Sequence, residues 1–190
     1  MPSRASDVLL GMILFIFLLG VLVGVLVLCF VISTSFWGFW RTRVPYVRSK
    51  TADTLKALQA ANLQGGQVFY ELGSGDGRVI FLAEQLAKVK SVGFELTPWV
   101  HMMAKFHAWR KGSKARLLRE DFFAASWQDA DVIYCYLYPP LMRSVEEKFL
   151  QETKPGSVLI SRDFKLPTLL PIEEVIFDEK HNAFIYKNSN

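Results

Sequence analysis

The sequence predicts an α/β protein: an open, Rossmann-like sheet of seven strands preceded by one N-terminal transmembrane helix. Three observations predict it. Val8–Ile32 is a run of 25 residues without a charge. Val68–Ile80, VFYELGSGDGRVI, reads as strand, glycine turn and helix. Beyond that turn, short runs rich in β-branched and aromatic residues alternate with stretches of helical spacing, as in a sheet whose strands are joined by crossover helices.

The apolar run makes roughly 37 Å of helix at about 1.5 Å per residue, enough to cross a hydrocarbon core of about 30 Å with some tilt. A cleaved signal peptide wants a basic start, a shorter apolar core and a small-residue cleavage site. Here Arg4 is the one basic residue ahead of the run, Asp7 offsets it, and Phe36-Trp37-Gly38-Phe39-Trp40 follows where an interfacial aromatic belt belongs. The expected organisation is therefore a membrane anchor with aromatic belt over residues 1–40, a basic linker and lead-in helix over 41–66, and the α/β domain over 67–190.

Charge orients the anchor. Arg41, Arg43, Arg48 and Lys50 follow the span against Arg4 alone before it, so the positive-inside rule puts the domain on the cytoplasmic side. Residues 1–50 hold five Lys/Arg and one Asp, whereas residues 51–190 hold 17 Lys/Arg and 17 Asp/Glu. The formal charge of +4 belongs to the membrane flank, and the basic isoelectric point is no evidence for a nucleic-acid partner. Cys29 lies inside the span and Cys135 in an apolar run, so neither is placed for a disulfide. His101, His107 and His181 have no zinc-like spacing, which leaves exposed helix or loop histidines as their reading and no metal expected.

After the linker Val44-Pro45-Tyr46-Val47, Thr51–Leu63 has helical spacing at Leu55, Leu58 and Leu63, with Thr51 or Asp53 as cap and Gly65-Gly66 as stop. Val68–Leu72 is the first buried strand. Gly73, Gly75 and Gly77 let the backbone turn tightly and approach a ligand, and the apolar residues from Val79 through Leu86 open a helix whose first N–H groups are unpaired. Ser91–Leu96 is the next strand, with Glu95 at its end, 20 residues beyond Gly75. A carboxylate there accepts two hydrogen bonds from a ribose diol.

Thr97-Pro98-Trp99 starts a helix with proline in its first turn, and Met102, Met103, Phe106 and Trp109 on it are expected in the core. Ala115–Arg119 is a third strand, followed by Asp121 and Phe122, a helix cap and a core aromatic on their local chemistry. Asp131–Leu137 is a fourth strand leading to Tyr138-Pro139-Pro140 at the sheet edge where open α/β sheets bind ligands. Val145–Leu150 continues as helix and Ser157–Ser161 as a fifth strand. Strands near Glu173–Phe177 and Ala183–Tyr186 close the sheet as an antiparallel hairpin.

The glycines fit G-x-G-x-G, not the dinucleotide fingerprint G-x-G-x-x-G, whose third glycine position is Arg78. With Glu71 two residues ahead of the first glycine, this suits the first motif of class I S-adenosylmethionine (SAM) methyltransferases. The set Glu71-Leu-Gly-Ser-Gly-Asp-Gly-Arg78, Gly93-Phe-Glu-Leu-Thr-Pro-Trp99 and His107-Ala-Trp-Arg-Lys-Gly112, behind a membrane span and Val44-Pro-Tyr-Val47, resembles a small family. Its members are the membrane-anchored protein-lysine methyltransferases of the ATP synthase c subunit and the adenine nucleotide translocase, with prokaryotic relatives.

The resemblance covers about residues 36 to 165 and implies a seven-stranded class I fold, SAM as donor and a lysine as acceptor. Carried over by position, Glu71, Gly73, Ser74, Gly75 and Gly77 hold the methionine portion, Glu95 the ribose, and Asp121 with Phe122 the adenine. The family often has Asp at the position of Glu71 and Asn at that of Thr97. Tyr138-Pro139-Pro140 lacks the leading Asx and trailing aromatic of base-acting amino methyltransferases, which discounts base methylation.

Tyr136, Tyr138 and Pro139 are the candidate acceptor wall, with core packing the other reading of Tyr136 and no general base evident. The N-terminus lacks the Arg-rich, acid-free character of a mitochondrial presequence, which favours a prokaryotic inner membrane over a mitochondrial one. The expected partners are the bilayer and a small integral membrane protein, with neither nucleic acid nor metal. A lipid- or quinone-directed methyltransferase and a non-catalytic nucleotide-binding membrane protein are the alternatives.

Overall fold

A computed structural model describes the backbone of residues 4–42 and 49–189 and the side chains of 7–33 and 49–189. The aromatic belt's side chains and the Val44–Val47 linker lie outside the described residues. Helix α1, Arg4–Thr42, contains the apolar span Asp7–Ser33 at a mean hydropathy of 3.3 and continues beyond it. The helix thus runs ten residues past Ile32, through segments expected as belt and linker. Nothing in 33–42 breaks it, since the stretch has no proline and one glycine.

The domain follows as α2 (Thr51–Ala60), β1 (Val68–Leu72), α3 (Arg78–Ala87), β2 (Lys90–Phe94), α4 (Pro98–Lys111), β3 (Arg116–Leu118) and β4 (Val132–Cys135). Helix α5 (Met142–Glu152) and strands β5 (Val158–Arg162), β6 (Glu173–Ile176) and β7 (Asn182–Lys187) complete it. One seven-stranded sheet has the order β3-β2-β1-β4-β5-β7-β6. Strands β1–β5 are parallel, and β7 runs antiparallel between β5 and β6. Strand order reverses at β1, so the crevice beyond the carboxyl ends of β1 and β4 is where a ligand of such a sheet sits.

Both faces of the sheet are covered, which is why β1, β4 and β5 read as near-continuous apolar runs. Phe69, Val132, Tyr134 and Ile160 pack with Ala57 and Leu58 of α2, Val79, Ile80 and Ala83 of α3, and Ala108 of α4. On the opposite face Leu72, Phe94, Ile133, Cys135 and Leu159 pack with Met142, Val145 and Phe149 of α5 and with Trp127. Large side chains buried this completely stabilise by about 1.5–3 kcal/mol each.

Several expectations need correction. Helix α2 has Lys50 at its N-cap with no side-chain cap bond, and it ends at Ala60, with Asn62 in the left-handed conformation at φ 52°. Asp53 does not cap because its carboxylate turns inward to Arg162, 2.8 Å away. Met102, Phe106 and Trp109 are exposed on α4, whose buried face is instead Val100, His101, Ala104 and Ala108. Small residues let α4 sit close to the domain, and the bulky ones are left outside. The histidines are not simply exposed: His101 is buried, His107 Nδ1 lies 3.2 Å from the Asp76 carbonyl, and His181 Nδ1 lies 3.0 Å from the Asp163 carboxylate. Both described cysteines are free, Cys135 buried in the sheet, and no His/Cys/Asp/Glu metal cluster exists among the described residues.

Candidate active site

The glycine turn between β1 and α3 is built by backbone geometry that few other residues tolerate. Gly73, Gly75 and Gly77 have φ of 75°, 53° and 82°, the left-handed region. A Cβ on Gly77 would also stand 2.7 Å from the Phe81 ring. The turn reaches across to β2, where Ser74 N–H donates to the Phe94 carbonyl at 2.8 Å. That approach requires Gly93, since a Cβ there would meet the Ser74 Cβ at 2.8 Å. Gly93, one strand away, therefore sets the height of the turn.

Charged side chains then lock the loop. Asp76, buried, takes Arg78 in a two-pronged bond, Nε to Oδ1 at 3.0 Å and Nη2 to Oδ2 at 2.7 Å. Arg78 Nη1 also reaches the Ser49 carbonyl at 3.4 Å, and His107 on α4 approaches the Asp76 carbonyl. A paired guanidinium thus stands where a dinucleotide fingerprint has its third glycine.

Two carboxylates flank the turn in different surroundings. Glu71 is buried at the end of β1 and accepts from the Ile80 N–H at 3.2 Å, one of the orphan donors in the first turn of α3. Burial pushes its carboxyl well above the usual carboxylate range, Asp76 and Glu95 add to the rise, and the Ile80 bond opposes it. Glu95, past the end of β2, is half-buried and spans the crevice wall: Gly75 N–H donates to Oε2 at 3.1 Å and Thr97 N–H to Oε1 at 2.8 Å. Each of its oxygens keeps a lone pair directed away from the backbone.

Asp121 follows β3 at the same edge and is half-buried. Its Oδ1 accepts from Phe123 N–H at 2.9 Å, a local turn of the kind expected for Asx residues. Phe122 is buried in the core with Trp127, whose indole N–H donates to the Phe122 carbonyl at 2.8 Å. The cap and core roles expected as one reading of this pair are thus occupied.

Across the crevice, Tyr136 follows β4, half-buried, its ring stacked on Phe164 at 6.3 Å and lying 5.2 Å from the Arg162 guanidinium. Burial first, then the neighbouring Asp163, push its hydroxyl up to about 12. Tyr138 and Pro139 are exposed at the rim, where Pro139–Leu141 form a short 3-10 turn. Sequence reading missed the group behind Tyr136. Arg162, buried at the end of β5, lies between the Tyr136 and Phe177 rings at 5.2 and 5.3 Å and pairs with Asp53. Asp163 beside it is held at φ 62°, unusual for a residue with a Cβ, and meets His181. An Arg-Asp pair at a strand end is the one signal that would have drawn attention to it.

The cradle fits a nucleoside cofactor. Three left-handed glycines bring bare backbone to the crevice floor, and carboxylates stand at the ends of β1, β2 and β3. Topology, glycine turn and acid positions together are those of the class I methyltransferase fold. Residues 71–173 match the model of the ANTKMT methyltransferase domain, and the chain belongs to that family. It is 33% identical over 71% of its length to the adenine nucleotide translocase lysine N-methyltransferase of Mus musculus, of which it spans 59%. With the ATP synthase c-subunit lysine N-methyltransferase of Xenopus laevis it shares 28% identity over 80% of its length and 68% of the relative's. Among solved structures, an RNA methyltransferase from Salinibacter ruber in complex with S-adenosyl-L-homocysteine superposes with a TM-score of 0.73 at 25% identity, over 76% of this chain and 95% of that one.

Proposed function

We propose that this chain is a membrane-anchored protein-lysine N-methyltransferase that modifies a small integral membrane protein from the cytoplasmic side. The observation that carries the reading is the combination of a lysine-methyltransferase relative at 33% identity with an apolar helix of membrane-spanning length on the same chain. Both named relatives act on proteins of membranes, and the run of Arg41, Arg43, Arg48 and Lys50 beyond the span supports the orientation.

In this reading Gly73, Ser74, Gly75 and Gly77 receive the methionine end of the cofactor with Glu71 beneath them, Glu95 takes the ribose hydroxyls, and Asp121 the adenine amino group, with Phe122 backing the ring from the core. The bound cofactor supplies an electrophilic methyl group on a sulfonium. The chain's own task is to deliver an amine with a free lone pair, and a lysine has an ordinary pKa of about 10.4. Desolvation favours the neutral amine. The acceptor wall of Tyr136, Tyr138 and Pro139 excludes water from the approach and aligns the side chain, a positioning effect of several kcal/mol in well-ordered sites. With its hydroxyl raised to about 12, Tyr136 stays protonated through the physiological range. It therefore contributes a surface and a dipole and does not act as a base.

Mass spectrometry of membranes from a strain lacking the gene tests the reading. Loss of methylation on a lysine of one small membrane protein is the expected result. Loss of a methylated lipid or quinone instead would reassign the acceptor, and an unchanged membrane methylome would leave a cofactor-binding protein without this reaction. A tag after Asn190 is expected to resist protease added outside intact cells, and its cleavage would reverse the orientation.

A further inference from the structure

Helix α4 is apolar on two opposite sides. Its inner side is Val100, His101, Ala104 and Ala108, all buried. Its outer side carries Trp99, Met102, Phe106 and Trp109, spaced i, i+3, i+7 and i+10 along one stripe, and these are 37%, 61%, 54% and 74% exposed. Four large side chains lined up in water are costly for a soluble domain, and contiguous exposed apolar surface of this kind marks an interaction site.

The stripe has a basic rim. Residues 96–119 hold Lys105, Arg110, Lys111, Lys114, Arg116 and Arg119 and no acidic residue. Six of the 17 basic residues of 51–190 thus fall in this segment, and none of its 17 acidic ones. All six are exposed. Arg110 arches over the Phe106 ring at 6.0 Å, so charge and aromatic surface share one face. A domain with balanced charge has concentrated its positive charge around the one exposed aromatic stripe on its described helices.

We propose that the outer face of α4 is a membrane-docking surface that lies in the headgroup region of an anionic bilayer. Aromatic and methionine side chains on one face with Lys and Arg beside them are the composition of an interfacial helix, and each basic residue near an anionic surface adds attraction that fades within a Debye length. What selects a bilayer as occupant is α1: the helix of membrane-spanning length lies against α4 itself. The proposal rests on the span of the preceding reading and adds a second membrane contact to it. Trp99 stands in the first turn of α4, four residues beyond Glu95 and at the ligand edge of the sheet. Docking through this face therefore brings the mouth of the crevice to the membrane surface, whereas a single helical tether leaves the domain free to turn away.

The test uses the full chain in vesicles, with Cys29→Ser and a fluorescent label on Phe106→Cys, or in a second preparation on Trp109→Cys. A control label sits on Gln151→Cys, exposed on α5 across the sheet. S-adenosylhomocysteine binding certifies that each labelled chain is folded, and spin-labelled lipid serves as the quencher. The expected result is strong quenching at 106 and 109 in phosphatidylcholine–phosphatidylglycerol vesicles, weaker quenching without phosphatidylglycerol or in high salt, and none at 151. Vesicle-bound chain whose labels at 106 and 109 are no more quenched than that at 151 overturns the docking face and leaves the anchor standing. Chain that does not remain with the vesicles overturns both. Shielding of the labels only on adding single-stranded RNA, or only on adding a methyl-acceptor membrane protein, assigns the face to that partner and overturns the bilayer.

Discussion

The two sides of the crevice are made in different ways. The proposed cofactor side, from β1 to β3, is a backbone construction: left-handed glycines, N–H groups and the carboxylates of Glu71 and Glu95 that bind them, nearly all within 25 residues of chain. The proposed acceptor side is a side-chain construction, in which Tyr136 after β4, Arg162 at the end of β5 with Asp163 next to it, Asp53 of α2 and His181 before β7 meet from four separate segments. Positive φ confines the turn positions of the first kind of site to glycine. The second kind can be rebuilt by substitution on the same fold.

Perturbations should therefore act differently on the two sides. The largest expected effect is that of Gly77→Val, which meets both the positive φ and the Phe81 ring. Strain of this kind costs on the order of 1–3 kcal/mol before the clash is counted, so S-adenosylhomocysteine affinity by calorimetry should fall about a hundredfold or more. Retained binding would show that the turn is softer than its geometry implies.

Breaking the acceptor side comes next and should show first in stability. Asp53→Ala leaves the Arg162 guanidinium buried without its nearest ion partner, a loss of about 3–5 kcal/mol, read as a shifted urea midpoint. Asp53→Leu combined with Arg162→Met should recover most of it, and cofactor affinity should change little in the double variant. If affinity collapses in that variant, the two sides are not separable.

Glu95→Ala sits where the comparison is sharpest. It removes bonds to a charged group, each worth about 1.5–3 kcal/mol, and also frees the Gly75 and Thr97 N–H groups. Cofactor affinity should drop about tenfold to a hundredfold. Unchanged affinity would take Glu95 out of the site.

Glu71 gives a pH test with the opposite sign from most carboxylates. Its folded pKa lies above its unfolded one because burial disfavours the charge. The stability associated with its neutral form is then complete below the ordinary carboxylate range and is lost as pH rises through the raised value. Glu71→Gln should flatten that decline and leave the protein as stable as or more stable than the parent at neutral pH. The same change should weaken cofactor binding if the charge is used there. A parallel pH profile for parent and variant would contradict the burial argument.

Tyr136→Phe should have the smallest effect, because the ring contacts with Phe164 and Arg162 remain. A turnover change of only a few fold, with no altered pH profile below about 10, is expected from a hydroxyl raised to about 12. A lost alkaline limb would make the phenol a base after all.

These differences also explain which features the sequence makes legible. The strands, the turn and the positions of Glu71 and Glu95 follow from local pattern, since β-branched runs and alternating glycines encode their own conformation. The outer side of α4 misleads because Met102, Phe106 and Trp109 have core-like spacing, and only the packed structure reveals that Ala104 and Ala108 occupy the inward positions instead. Asp53 reads as a cap because its partner, Arg162, is 109 residues away. The histidines' roles are hidden for the same reason, two of them depending on a carbonyl or carboxylate from another element. Local chemistry announces itself in sequence, whereas pairings across the fold do not.

The point where the chain from α1 enters the domain has a mechanical consequence. Ser49 is buried, its carbonyl meeting Arg78 of the glycine turn and its hydroxyl 3.5 Å from the Tyr134 hydroxyl in β4. Four residues on, Asp53 grips Arg162 at the acceptor edge. Tension on the segment leading into the domain is thus delivered to the seam between the two halves of the crevice.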